Sequence, residues 1–237
     1  MAKRTHLQDS EPRVQDDGVP LEARVRAEII RGAFPPAARL RMEDLKARFE
    51  VGFSPIREAL SRLIGEGLVE FEPNRGFRVA PLSREDLLDI ALARVAVETA
   101  ALKRSIEHGD DRWEAGIVAA MHQYRRRSPI AFTNEATLLS WEESHDALHA
   151  ALIGACGSSR LLALQRRLQD QHVRYRRLIV VKEVAQEVHI EEHEKLVELA
   201  LERRSADAIA EIERHMMITV DALDQSSIWE KFGETAG

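Results

Sequence analysis

The stretch VGFSPIREALSRLIGEGLV, residues 51–69, decides the fold of the first third of the chain. Its apolar side chains recur at the spacing of a helix with one buried face: Ile56, Ala59, Leu60, Leu63 and Ile64. Ser54 stands where an N-cap is expected, Pro55 follows at the first helical position, and Gly65 is placed to end the helix. The pattern therefore predicts one short amphipathic helix.

The face opposite the apolar stripe carries hydroxyl groups and charges. Its residues are Ser54, Glu58, Ser61 and Arg62, with Arg57 on the flank. A helix of this kind can pack on a small core and present its polar side to DNA phosphates and base edges. An ordinary surface helix has the same pattern, so the neighbouring segments are needed to separate the two interpretations.

Those neighbours predict a helix-turn-helix followed by a hairpin. Residues 25–34 predict a helix that ends at a Gly-Ala-Phe-Pro-Pro sequence, and residues 39–50 predict a second short helix, joined to the next by a tight link. Residues 68–72 and 76–80 alternate like strands around a turn. The hairpin would form the wing of a winged helix, with Arg75 at its tip.

Over about residues 20–81 the chain resembles the DNA-binding domain of GntR-type bacterial transcription regulators, most specifically in SPIREALSRLIGEGLVE and the following N-R-G-F. The resemblance implies a homodimer whose recognition helices enter adjacent major grooves of a near-palindromic operator in double-stranded DNA. It also implies that Arg57 binds DNA, that Ser54 contacts a phosphate and that the wing turn approaches the minor groove. The predicted DNA-binding residues are Ser54, Arg57, Ser61, Arg62, Asn74, Arg75 and Gly76.

The chain departs from the GntR pattern at three positions. Ala37 replaces a common glycine, Gly52 replaces a common Ser or Thr, and Phe53 stands where an arginine often contacts DNA. Because of Phe53, an alternative interpretation stays open, in which the chain is a purely structural metal-binding bundle with a degenerate DNA-binding domain.

Composition limits the possible partners and compartments. The 237 residues carry a net charge of −6, but residues 21–81 hold 11 Lys+Arg against 9 Asp+Glu, whereas residues 82–237 hold 20 against 27. The basic excess is therefore local, as expected when one small face meets phosphate. Cys156 is the single cysteine, and the sequence has neither an apolar run of 18 residues nor a signal peptide. These features predict a cytoplasmic protein without a membrane partner.

Beyond the wing, the pattern predicts helices and no strands. The S-x-x-D sequence at Ser83 and Asp86 favours a helix start, and the run over 87–102 is apolar almost all round, which predicts a central helix. The fold class is mainly α, with an N-terminal winged helix-turn-helix and a C-terminal antiparallel bundle of about six helices. The predicted divisions are a flexible tail at 1–19, the DNA-binding domain at 20–81, a helical effector-binding, metal-binding and dimerisation domain at 82–228, and a C-terminal tail at 229–237.

Four histidines are predicted to point into the bundle. His145 and His149 are four residues apart on an apolar helix face, and His193 and His215 lie on apolar stripes of two other helices. Buried polar groups need partners, and a divalent metal ion, zinc or nickel in particular, would satisfy several imidazoles at once. For any single histidine, a hydrogen bond within the core is the alternative.

The sequences around these histidines resemble the ligand-binding domain of the FadR branch of GntR regulators: LHAAL at 148–152, EHxxL at 192–196 and ERH at 213–215. Many members hold a metal ion there with one Asp and three His, and the matching histidines are His149, His193 and His215. His145 occupies the Asp position. This departure leaves three alternatives: a four-His site, another metal preference, or a lost ligand replaced by water, with Glu142 and Asp146 as nearby carboxylates.

The resemblance also implies a small carboxylate or sugar-acid effector beside the metal ion. Arg94 matches the family's R-x-x-[LV]-E motif and would bind the carboxylate, with Arg174 as a second candidate and Tyr175 or His172 as the source of hydrogen bonds. From the residues alone, Arg94 and Glu98 at i and i+4 could equally form an intrahelical pair.

The residues and the resemblance together predict a metabolite-controlled transcription regulator and not an enzyme. A repressor is favoured only by the resemblance, because repression is more common than activation in the family. The alternative from another class is a metal-dependent helical-bundle enzyme. Against it, an E-x-x-H pair occurs only once in the bundle helices, at Glu142 and His145, and H-E-x-x-H is absent from the sequence.

Overall fold

The computed structural model describes residues 18–128, 134–180 and 186–229. Most of the two predicted tails, positions 1–17 and 230–237, lies outside the described residues. The chain divides into two compact units, Met1–Pro81 and Leu82–Gly237. No helix in the described ranges is long and apolar enough to cross a membrane.

The first unit is a winged helix-turn-helix, as predicted. Its elements are α1 (Leu21–Arg31), β1 (Arg39–Leu40), α2 (Met42–Phe49), α3 (Phe53–Gly65), β2 (Val69–Glu72) and β3 (Gly76–Val79). The three strands form an antiparallel sheet in the order β1-β3-β2. The sequence interpretation missed β1, which it assigned to the start of the second helix.

The apolar stripe of α3 forms the centre of this unit. Ile56, Leu60 and Leu63 are completely buried, together with core residues from α1, α2 and the sheet. Burying each such side chain is worth about 1.5–3 kcal/mol. Ile64, predicted to share the stripe, is 39% exposed. Eight residues of α-helix turn through about 800°, so Ile64 lies roughly 80° away from Ile56 and reaches the edge of the buried face.

The start of α3 differs from the prediction. Gly52 is the N-cap, with extended ψ, and no side chain caps the helix. Ser54 lies inside the first turn, where its Oγ contacts Glu58 Oε1 at 3.4 Å. The Ser54 cap was therefore wrong, because the helix begins at Phe53, two residues before the predicted first position at Pro55. Pro55 is still tolerated there, since first-turn N–H groups have no partner within the helix.

The second unit is a helical bundle, as predicted. Its helices are α4 (Arg84–His108), α5 (Asp111–Arg127), α6 (Glu135–Ile153), α7 (Ser159–Val180), α8 (Gln186–Leu201) and α9 (Ser205–Asp224). The described residues of this unit contain no strand. Helix α4 packs against α6, α7 and α9, which confirms its central position.

Helix caps in this unit follow the sequence signals only in part. The Ser83 hydroxyl accepts the Asp86 N–H at 3.1 Å, as the S-x-x-D pattern predicts. Ser205, the expected cap of α9, is instead its first helical residue, and Arg204 is the N-cap, whose side chain does not cap the backbone N–H groups of the helix. Arg204 makes its ion pair with Asp207 in the first turn of α9, where an acidic side chain also complements the helix dipole.

Candidate functional site

The first unit has a basic groove of about 780 Å³ between α3, β1 and the hairpin. Four arginines line it: Arg39, Arg41, Arg57 and Arg75. Ser61 of the polar α3 face lines it as well, and Gly76 of the hairpin turn lies at its border. A concave surface with several cations raises the local potential and attracts phosphate.

Arg57 and the tip of the hairpin turn are exposed on the first unit. Arg57 is exposed, and no carboxylate in the described part of the chain pairs with it. Asn74 and Gly76 have φ values of +64° and +83°, which Asn and Gly adopt most readily. They place Arg75 between them at the tip, where its side chain is 73% exposed and 3.9 Å from Glu72.

Besides Arg75, two of the predicted DNA-binding residues have partners within the unit. Arg62 is 3.3 Å from Glu22 of α1, and its side chain is 72% exposed. An exposed pair of this kind is worth about 0–1 kcal/mol, so a phosphate could replace Glu22. Ser54 contacts Glu58, as described above. Both residues stay predictions.

Phe53 lies exposed at the first position of α3, close to the polar face. Its side chain is 41% exposed, and the Lys46 ammonium nitrogen is 4.8 Å from the ring centre. A cation over the ring face orients the aromatic side chain at modest energy. The helix therefore begins with an aromatic group at the position where the resemblance to GntR-type regulators often implies an arginine.

Arg39 and Arg41 are groove residues that the sequence interpretation missed. The available signal was their i, i+2 spacing, which places both side chains on one side of an extended segment. Because the segment was assigned to a helix, that periodicity was not applied.

In the second unit the four predicted histidines meet. One nitrogen from each of His145, His149, His193 and His215 lies within 4.8 Å of the others. The first three are buried and His215 is nearly so. His149 Nε2 and His193 Nε2 are 3.3 Å apart, and the His193 and His215 ring centres are 4.4 Å apart. The helical spacing predicted that these rings point inward, and the structure brings them together.

Two carboxylates lie behind this cluster. Glu98 Oε2 is 3.4 Å from His149 Nδ1, and Glu192 Oε2 is 3.6 Å from His215 Nδ1. Burial alone would raise the pKa of Glu98, but Arg94 and His149 lower it to about 2. Burial also acts to raise the pKa of Glu192, while His215 and Arg214 lower it to about 2. Both carboxylates are therefore charged at neutral pH.

Arg94 forms a buried pair with Glu98. The guanidinium Nε and Nη2 are each 2.9 Å from Glu98 Oε1, and the two side chains are 3% and 0% exposed. The charge of Arg94 also acts on the nearby rings of His172 and His215. Within the described residues, neither ring nitrogen of the buried His172 has a hydrogen-bond partner.

Arg176 is the functional candidate that the sequence interpretation missed in this unit. Its Nη1 is 2.7 Å from His145 Nδ1, and its guanidinium carbon is 5.0 Å from the centre of the Trp141 ring. His172 and Arg176 are four residues apart on α7 and share a face. Arg174, the predicted second effector residue, is also buried but lies about 200° around the helix from His172. The i, i+4 spacing from His172 is the sequence signal that could have identified Arg176.

The cluster fits a metal ion. Nitrogens bound to one tetrahedral zinc ion at about 2.0–2.1 Å are about 3.3–3.4 Å apart, which matches the His149–His193 separation. Carboxylates behind two of the imidazoles are the usual partners of the non-ligating N–H. Four imidazole nitrogens in a buried site are donors that suit zinc, nickel and related ions. The four-His cluster could therefore hold a metal ion.

We expect the metal-free second unit to lose stability as pH falls below about 6.5. Burial lowers the pKa of His215 to about 4 and that of His145 and His172 well below its usual value. Because an unfolded histidine titrates near 6.5, the neutral rings stabilise the fold above that pH, and this contribution is lost towards pH 4. His215 alone accounts for about 3 kcal/mol at 1.36 kcal/mol per unit.

Urea unfolding with a chelator present, at pH 7.0 and pH 4.8, measures this loss. Glu98 and Glu192 do not contribute in this window. Because their pKa values are lowered to about 2, the stability that their charged forms contribute is lost only below about pH 4.5. The variant His215→Gln should lose less stability between the two pH values than the unaltered chain. An equal free energy of unfolding at both pH values would contradict the prediction.

Comparison with known families divides the chain in the same order. The profile of the gntR family of bacterial regulatory proteins matches residues 20–79, and that of the FCD domain matches residues 89–217. The first match covers the winged helix-turn-helix. The second covers the helices that contribute Arg94, Glu98 and the four histidines.

Similar proteins and structures agree with these matches. The HTH-type transcriptional repressor GlaR of Escherichia coli (strain K12) is 34% identical over 207 residues, covering 85% of this chain and 93% of GlaR. The uncharacterised HTH-type regulator BphR of Paraburkholderia xenovorans (strain LB400) is 36% identical over 209 residues, covering 85% and 83%. A GntR-type regulator structure from Rhodococcus sp. RHA1 has a TM-score of 0.71 at 21% identity, covering 87% and 97%.

Proposed function

The chain belongs to the GntR family of bacterial transcriptional regulators that carry an FCD domain, and we propose that it is a repressor controlled by a metal ion and a small carboxylate. In this family the helix-turn-helix binds DNA and the FCD domain binds an effector, so the protein is not an enzyme. The observation that carries the proposal is the presence, in one chain, of an arginine-lined groove and a buried imidazole cluster.

The DNA-binding role follows from the exposed side of the first unit. Arg57 is the residue proposed to read a base edge. It is exposed in the groove, and an arginine can bind guanine through two hydrogen bonds. The hydroxyls of Ser54 and Ser61 and the side chain of Arg62 are suited to phosphates. Asn74, Arg75 and Gly76 form the tip that would approach the minor groove. A homodimer would present this surface twice to a near-palindromic operator in the cytoplasm.

The effector role follows from the second unit. The imidazoles of His145, His149, His193 and His215 surround the space for the ion, with zinc or nickel as the metal. A bound ion would supply positive charge for an anionic oxygen. Arg94 and Arg174 are the proposed carboxylate-binding cations. His172 adds two buried ring nitrogens that lack partners in the described residues and can hydrogen-bond a polar ligand.

Control of DNA binding requires that the effector favour one state of the protein. A ligand shifts such an equilibrium only by its different affinity for the DNA-binding state and the other state. We propose that the effector favours a dimer in which the two recognition helices no longer match the operator. Repression is proposed because the similar GlaR is a repressor.

Replacement of Arg57 by alanine should weaken operator binding by about 1–3 kcal/mol, which is about 5- to 150-fold. The affinity falls because alanine lacks the guanidinium that would bind the base. The fold itself should be unaffected, because Arg57 is exposed and has no ion pair in the described residues. The measurement is a fluorescence titration of the duplex upstream of the chain's own coding sequence. Arg112→Ala, which removes an exposed arginine of the second unit, is the matched control and should change affinity little.

Two outcomes count against this part of the proposal. Equal affinity of Arg57→Ala and Arg112→Ala would remove Arg57 from the DNA interface. If the unaltered, folded protein binds every upstream fragment no better than random duplex, the repressor assignment itself fails.

A further inference from the structure

His145 has different surroundings from the other three histidines of the cluster. Its Nδ1 lies 2.7 Å from Nη1 of Arg176, a cation. In contrast, Nδ1 of His149 and Nδ1 of His215 each face a carboxylate, at 3.4 and 3.6 Å. The four rings are therefore not chemically equivalent.

The contact with Arg176 decides which nitrogen of His145 carries the proton. A guanidinium group has only N–H donors, so Nδ1 must offer its lone pair at 2.7 Å. An imidazolium ring has no lone pair, which means that the ring of His145 is neutral and its single proton is on Nε2. Asp146 Oδ1, at 3.3 Å from the same Nδ1, already accepts a 2.7 Å hydrogen bond from Gln169 and is less well placed.

The position of Arg176 is held from other directions. Its Nη2 is 3.3 Å from Asp146, and its guanidinium group lies 5.0 Å from the centre of the Trp141 ring. The side chain is 8% exposed. Rotation of the His145 ring by 180° would replace Nδ1 with the Cδ2–H group and leave the Arg176 N–H without an acceptor there, which is unfavourable in a buried site.

We propose that His145 is a hydrogen-bond donor and not a metal ligand, so that His149, His193 and His215 hold the ion. A ligating nitrogen needs a lone pair, and a ligating histidine normally donates its other N–H to a carboxylate or carbonyl. A carboxylate oxygen lies 3.4 Å from Nδ1 of His149 and 3.6 Å from Nδ1 of His215, near enough to accept that N–H after a small movement, whereas Nδ1 of His145 faces a cation. Three nitrogen ligands leave one position for an oxygen ligand such as water, to which the Nε2–H of His145 can donate. This inference rests on the metal site of the proposed function.

The test is zinc binding by the full-length protein, measured by competition with a chromophoric chelator, for two matched variants. His145→Asn keeps an N–H donor and should lower zinc affinity less than about 10-fold, the lower end of effects for residues that support ligands. His193→Asn removes a ligand from an equally buried position and should lower the affinity more than about 100-fold.

A second measurement determines the tautomer and the ligation state of His145 in the unaltered protein. In the zinc-loaded unaltered protein labelled with ¹⁵N-histidine, proton–nitrogen correlation spectra distinguish the two tautomers and reveal ligation. The His145 signals, assigned by their absence in His145→Asn, should show an unligated ring with its proton on Nε2.

Two other results would overturn the inference in distinguishable ways. If the His145 ring is ligated in these spectra, or if both variants lose zinc equally, only the assignment of His145 fails. If the unaltered protein binds no zinc, the proposed metal site fails and this inference fails with it.

Discussion

Replacing both His149 and His215 by alanine should lower the affinity for zinc by at least about 10⁴-fold. Residues that only support metal ligands cost about 10–100-fold on mutation, and we take the upper value as the minimum for each lost ligand. Both rings are inside the bundle with their centres 5.1 Å apart, and a carboxylate oxygen lies 3.4 Å from Nδ1 of His149 and 3.6 Å from Nδ1 of His215. Their loss leaves too few nitrogens to hold the ion.

The measurement is metal content after dialysis against micromolar zinc, together with chelator competition. His108→Ala/His122→Ala removes two exposed histidines of the same unit and should retain full stoichiometry. Circular dichroism and binding to the upstream duplex show whether each double variant is folded. Full zinc stoichiometry in a folded His149→Ala/His215→Ala protein would refute the cluster as the metal site.

The helices of both units could be predicted from the sequence because the signals for helices are local. The apolar spacing in residues 51–69 requires only one helix and a core beside it. Strand β1 could not be found in this way. It has two residues, and its pairing of Arg39 with Arg78 depends on a partner 39 positions later. Short segments that acquire their structure from distant neighbours carry little signal of their own.

For the candidate metal site, the sequence predicted the histidines but not the side chains that contact them. Helical spacing indicated that each histidine faces the interior, since that requires only the position of the apolar stripe. The supporting groups come from other helices: Glu98 from α4, Glu192 from α8 and Arg176 from α7. Their contacts with the rings depend on how the helices pack, which the spacing within a single helix does not specify.

The Arg94–Glu98 pair shows why this packing changes the interpretation of a motif. As an exposed i, i+4 pair it would be worth a few tenths of a kcal/mol. In the bundle both side chains are buried, and Glu98 also faces His149. Removing one partner from a buried pair leaves an unbalanced charge in the core and is far more costly than the exposed pair would suggest.

Replacement of Glu98 by glutamine should therefore lower the free energy of unfolding by about 3–5 kcal/mol at pH 7. The pKa of Glu98, which Arg94 and His149 lower to about 2 against the effect of burial, means that a full negative charge is lost. Arg94 then remains buried without its counter-ion. Urea unfolding in the presence of a chelator measures the change without a contribution from bound metal.

Two further variants separate this explanation from a simple packing defect. Glu107→Gln makes the same change at an exposed position of α4 and should alter stability by less than about 0.5 kcal/mol. Arg94→Met/Glu98→Gln removes both charges and should be more stable than Glu98→Gln alone, because no unpaired charge remains in the core. If the double variant is less stable than the single one, Arg94 contributes packing that outweighs its charge. If Glu98→Gln is as stable as Glu107→Gln, the buried pair does not stabilise the fold and the prediction is wrong.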